Sequence, residues 1–157
     1  MGRGRATVAR DQFSAVFGNR RGLRADQQSH RYSDAFVFEC AADGTNAWRR
    51  DGKLHREDGP AVERADGSTE WWLDGQLHRK DGPAIEYADG NKEWWLDGER
   101  HREDGPAIEW ADGTTEWWLN GQLHREGGPA IERANGIKQW WRNGEWHCED
   151  GPAVERV

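Results

Sequence analysis

Long apolar runs are absent from this sequence. No stretch approaches the roughly 18 residues that a membrane-crossing helix requires. The first residues lack the apolar centre of a secretory signal, which points to a cytoplasmic protein. Cysteine is almost missing, with only Cys40 and Cys148 in 157 residues, so no disulfide framework is expected and two free thiols are. The hydrophobic fraction is 34% and mean hydropathy is −1.12, which excludes a thick core. Tryptophan breaks this poverty: there are 11 of them. Each indole can bury on the order of 200 Å², so a thin, aromatic-rich sheet is still a stable prospect.

Proline is scarce too, and its placement is the key to the chain. All five prolines (Pro60, Pro83, Pro106, Pro129, Pro152) are 23 residues apart, and so are five of the six histidines (His55, His78, His101, His124, His147). The repeat begins at Trp48, Trp71, Trp94, Trp117 and Trp140. The copy from Trp71 to Glu93 reads WWLDGQLHRKDGPAIEYADGNKE. A fixed period of this length marks a stacked repeat array. The two cysteines are more than four repeats apart and cannot bridge.

Up to four glycines and a proline per copy exclude helices beyond two turns. Asp-Gly and Asn-Gly pairs point to tight hairpins instead. A turn at Asp74-Gly75 sets Leu73 against Gln76, Trp72 against Leu77 and Trp71 against His78. A second two-residue turn at Asp89-Gly90 sets Ile85 against Trp94 and Ala84 against Trp95. Each copy then forms two short strands. The Gly-Pro step, which has no proline N–H to offer a ladder, falls in the wider R-E-D-G-P connection.

The run from Ala111 to Gly128, ADGTTEWWLNGQLHREGG, resembles the MORN repeat family. Trp118-Leu119-Asn120-Gly121, His124, Gly128 and Asn135-Gly136 match its skeleton of aromatic-x-N/D-G, His, Gly and a second N/D-G. Two departures stand out. Arg56, Arg79, Arg102, Arg125 or Cys148 follows each histidine where the family has Gly. Gly-Pro-Ala-Ile/Val-Glu replaces its Tyr-rich strand. The resemblance covers about the last two-thirds of the chain. It implies a twisted antiparallel sheet of hairpins, used for binding, assembly or scaffolding, with no catalytic residues and with lipid binding as a further role.

The expected fold is therefore mainly β: a single-sheet antiparallel β-hairpin solenoid. A basic segment, residues 1–33, precedes an array at 34–157, made of a degenerate copy at 34–47 and then five full copies. Ala9, Phe13, Val16 and Phe17 share one helical face, which suggests a short helix or cap over residues 6–18. The array ends in a strand, Ala153–Val157. Its open edge invites pairing. Val154, Glu155, Arg156 and Val157 fit a two-fold contact in which Glu155 meets Arg156 of its mate.

Net charge is −7, divided between an Arg-rich head (Arg3, Arg5, Arg10, Arg20, Arg21, Arg24, Arg31) and an acidic body. That sign argues against direct nucleic-acid binding by the repeats, though not by the head. Stacked histidines recur about 10 Å apart, too far to share one zinc ion. The carboxylate pairs Glu57/Asp58, Glu103/Asp104 and Glu149/Asp150 recur without a nucleophile beside them. No enzyme, metal site or cofactor is expected. The tryptophan rows are the binding candidates, in particular Trp72, Trp95 and Trp118, flanked by Glu70, Glu93 and Glu116. Packing of both rows within the sheet is the competing reading. The functional expectation is a protein-binding inhibitor, immunity factor or scaffold of bacterial or phage type, with the acidic array imitating nucleic acid toward an enzyme that handles it. The alternative is a module that binds glycans or lipid surfaces through its Trp rows.

Overall fold

The computed structural model describes residues 36–147 and the pair Val154–Glu155. The proposed helix over 6–18, Cys148, Arg156 and Val157 lie outside the described residues. Those described contain strands and no helix, as the glycine and proline spacing requires.

β1 (Phe36–Cys40) pairs with β2 (Asn46–Arg50) in the degenerate first copy, with Phe38 opposite Trp48. Thereafter the copies starting at Trp71, Trp94 and Trp117 each contribute four strands of two residues. In the copy starting at Trp71 these are Trp72–Leu73, Gln76–Leu77, Ile85–Glu86 and Lys92–Glu93. The second pair of each of these copies joins one continuous antiparallel sheet of 12 strands and the first pair forms a separate two-stranded hairpin, whereas in the copy starting at Trp48 the first pair stays within the large sheet. The expected two strands per copy are thus doubled, while the antiparallel hairpin architecture stands.

The turn at Asp74-Gly75 has the expected register, Trp72 with Leu77 and Leu73 with Gln76. Both turn residues have positive φ, 50° at Asp74 and 84° at Gly75, as a type I′ turn demands. The second turn differs from expectation. Ile85 pairs with Glu93 and Glu86 with Lys92, one residue away from the anticipated register. The cause is loop length. Tyr87 N–H donates to Asn91 O (2.9 Å) and Gly90 N–H to Tyr87 O (3.0 Å), closing a three-residue loop in which Gly90 (φ 93°) takes the left-handed conformation. A slip of one residue reverses every side chain. Here it takes Trp94 and Trp95 out of the ladder and places Glu93 opposite Ile85.

The consequence is a cross-strand row on one face: Val62, Glu70, Ile85, Glu93, Ile108, Glu116, Ile131, Gln139 and Val154 are successive partners. The core is correspondingly thin. It consists of Ala61, Ala84, Ala107 and Ala130, fully enclosed, and of Val62, Ile85, Ile108 and Ile131. The two-stranded hairpins are tied in series by backbone bonds, Gly75 N–H to Leu54 O, Gly98 to Leu77, Gly121 to Arg100 and Gly144 to Leu123. Stability in such an array comes from each repeat and its neighbours. The last described strand, Val154–Glu155, pairs with Lys138–Gln139.

Candidate interaction surfaces

The two tryptophan rows have different surroundings. The rings of Trp48, Trp71, Trp94 and Trp117 are each covered by a guanidinium, of Arg56, Arg79, Arg102 and Arg125, all at 4.1 Å from the ring centroid. These are the arginines that follow the histidine in four successive copies. Each also donates to a proline carbonyl and to a glutamate seven residues on. Arg102 Nη1 reaches Pro106 O at 3.1 Å and Glu109 Oε1 at 2.9 Å. The other three repeat this arrangement. The glycine before each proline makes room for it. A Cβ on Gly105 would lie 2.6 Å from Arg102 Cζ, and one on Gly82 would lie 3.1 Å from Arg79 Cζ. Cation–π contact of this kind contributes about 0.5–2 kcal/mol, depending on desolvation.

Trp72, Trp95 and Trp118 do stand beside Glu70, Glu93 and Glu116, as the sequence suggested. Each indole Nε1 donates to the carboxylate two residues before it, at 2.9–3.0 Å. These indoles are half-buried and Glu93 is only 6% exposed. Glu93 accepts further bonds from Tyr87 Oη (3.1 Å) and Arg100 Nη2 (3.3 Å). Burial, reinforced by the Glu93 carboxylate, raises the Tyr87 phenol above its ordinary value.

Histidine sits opposite tryptophan in each hairpin, with His78 N–H bonded to Trp71 O at 3.0 Å. Its ring serves the following repeat. Nδ1 of His55, His78, His101 and His124 accepts the backbone N–H of Asp74, Asp97, Asn120 and Asn143 at 3.1–3.3 Å. That residue has positive φ in every case. The histidine thus anchors the next type I′ turn. Asn replaces Asp in two copies with the same geometry, so the anchor does not depend on a carboxylate. Among the described residues no three His, Cys, Asp or Glu side chains come together as metal ligands do.

Carboxylates dominate the exposed connections. Glu57, Asp58, Glu103, Asp104 and Glu126 are exposed, Glu103 to 85%. The three-residue turns add Asp43, Asp66 and Asp112. Backbone N–H groups two residues on (Thr45, Ser68, Thr114) hold these three below the usual carboxylate range. Asp74 is held down by the Arg50 guanidinium. Between two successive connections lies an open cleft of about 850 Å³, lined by Lys80, Asp81, Glu103 and Asp104 over Trp94 and Leu96.

Sequence reasoning missed the arginine cap and the cross-repeat histidine anchor. The signal for the first was present: Trp, Arg, Gly-Pro and Glu recur together in four copies. No protein-family model matches the chain, and no curated protein matches it significantly.

Proposed function

We propose that this chain is a non-enzymatic, MORN-like repeat array that binds a basic protein partner, as an inhibitor, immunity factor or scaffold of bacterial or phage type. The observation that supports this reading is the line of exposed carboxylates at the same connection of successive repeats, above tryptophan faces that arginines already cover. The recurring polar groups below the surface are engaged in holding the fold. What most copies offer outward at this connection is negative charge, spaced about 10 Å apart by two strands, with Lys80 beside Asp81 in the copy starting at Trp71. Such a surface attracts basic proteins from a distance and discriminates against acidic ones. A nucleic-acid-processing enzyme presents a matching basic surface. Self-association through the C-terminal edge at Val154 and Glu155 is part of the same proposal.

The test uses the full chain. Proteins captured from the native host are identified by mass spectrometry, and the affinity of the purified partner is measured across a salt series. A basic partner, with affinity that falls steeply as salt rises and weakens in the Glu103→Gln/Asp104→Asn variant, supports the reading. Salt-independent binding, or binding of an oligosaccharide or neutral lipid vesicle in its place, refutes it in favour of the glycan- or lipid-surface alternative.

A further inference from the structure

One position of the repeat varies among four successive copies: Arg64, Tyr87, Trp110 and Arg133. Each lies just before a three-residue turn, on the face that carries the Ile/Glu row, and diagonal to the residue six places on. In the first of these copies Arg64 Nε donates to Glu70 at 3.1 Å. In the second, Tyr87 Oη donates to Glu93. In the third, the partner of Glu116 is Trp110, and Trp110 makes no bond to it. Among the described residues Glu116 accepts only from Trp118 Nε1, through Oε2. Its second oxygen lacks the donor that the equivalent glutamates have. Beside it Trp110 is 38% exposed, one of the few large apolar side chains at the surface. Diagonal cross-strand neighbours are about 7 Å apart, so one planar cation spans both.

The chemistry that fits is visible inside the fold. Arg56, Arg79, Arg100, Arg102 and Arg125 each set a guanidinium over an indole while donating to a glutamate. At Trp110 and Glu116 the indole and the carboxylate are present and the arginine is not. We propose that Trp110 and Glu116 form a receiving site for an arginine side chain of the partner protein. The guanidinium lies on the Trp110 ring and donates to Glu116 Oε1, in the place that Arg64 occupies toward Glu70. A guanidinium suits this site better than an ammonium, because it is planar, weakly hydrated and stacks on aromatic faces. The proposal rests on the reading of the chain as a binder of a basic protein, and supplies that partner's contact residue.

The experiment follows the indole N–H signals of the ¹⁵N-labelled full chain during titration with N-acetyl-arginine amide. N-acetyl-citrulline amide, of the same shape and neutral, and cellohexaose serve as comparisons. The expected result is a saturable shift of the Trp110 and Trp118 signals with the arginine derivative alone, weakened by about tenfold in Glu116→Gln. Trp110→Arg should remove binding without loss of fold, since Arg64 shows that arginine at this position closes on its own glutamate. Equal response to citrulline, a shift with cellohexaose alone, no shift at Trp110, or undiminished binding by Trp110→Arg would each overturn the site. The outcome separates the two readings. If the captured partner still binds Trp110→Arg but not Glu103→Gln/Asp104→Asn, the site fails and the proposed function stands. If arginine binds while no basic partner exists, the site stands and the proposed function fails.

Discussion

Gly105→Ala isolates the contact that most distinguishes this repeat. The added Cβ meets Arg102 at 2.6 Å from Cζ and 2.7 Å from Nε, closer than real Cβ contacts occur. The backbone here needs no positive φ, so no conformational strain enters. Arg102 must swing away, losing the Trp94 ring, the Pro106 carbonyl and Glu109. The ring contact is worth about 0.5–2 kcal/mol and a hydrogen bond to a charged group about 1.5–3 kcal/mol. The released guanidinium regains water, and a Gly→Ala change stabilises by about 0.4–1 kcal/mol through the unfolded chain. A net loss of about 1–2 kcal/mol remains, a fall of several degrees in melting temperature. Gly82→Ala, at 3.1 Å from Arg79 Cζ, should cost less than half as much. The two copies differ because Asp104 holds Arg102 Nε at 3.1 Å, pulling it down over the glycine. Urea or thermal unfolding of both variants, and of Gly105→Ala in an Arg102→Ala background, measures this. With the arginine gone the alanine should be neutral or stabilising. Equal losses at Gly105 and Gly82, or a loss that persists without Arg102, would refute the reasoning.

Four further outcomes are expected. Gly98→Val should destabilise by more than about 1 kcal/mol, because φ is 82° there and a β-branched residue resists that conformation; unchanged unfolding would contradict the turn type. His101→Asn should cost about 1 kcal/mol by releasing Asn120 N–H, while a chelator leaves the melting temperature of the wild type unchanged. Asp66 and Asp112 have folded values below the unfolded one, so their contribution is complete above about pH 4 and is lost as pH falls through the folded values; Asp112→Asn, which leaves an acceptor as Asn135 does, should flatten that acid limb of a melting-versus-pH curve. Light scattering should show a dimer for the wild type and a monomer for Val154→Pro, and a monomer in both disproves pairing through the C-terminal edge.

The repeat period, the hairpins and the type I′ turns were legible because each depends on residues within a few positions of one another. Asp74-Gly75 sets its own register. Ala88-Asp89-Gly90 did not, because the same Asp-Gly pair fits two loop lengths, and the sequence offers no local reason to count Ala88 into the turn. The tertiary reason lies on the face it creates. The three-residue loop sets Ile85 between Glu70 and Glu93, so that aliphatic and carboxylate side chains alternate along one face. The shorter loop would have paired Ile85 with Trp94 and Glu86 with Glu93, setting two carboxylates directly opposite each other.

The cap and the anchor were hidden for another reason: both join residues whose meaning lies outside a single hairpin. An arginine after histidine reads as a solvated charge until the connection folds it back over the tryptophan that opened the repeat. A histidine opposite tryptophan reads as packing until the next copy places an N–H against its ring. This arrangement explains why so polar a chain sustains an ordered sheet. Its enclosed aliphatic side chains amount to one Ala and one Val or Ile per repeat, too few to fix the geometry alone. Direction comes from the polar groups, most of them bonded within their own or the neighbouring copy, while His55 Nε2, Arg100 Nε and Trp141 Nε1 are buried without a hydrogen bond. Trp110 with Glu116 breaks that pattern in the middle of the array, with an aromatic ring outside and a carboxylate oxygen that no neighbour fills. At the same place Arg64 closes on Glu70 and Tyr87 on Glu93, so this gap is where the proposed arginine of a partner would bind.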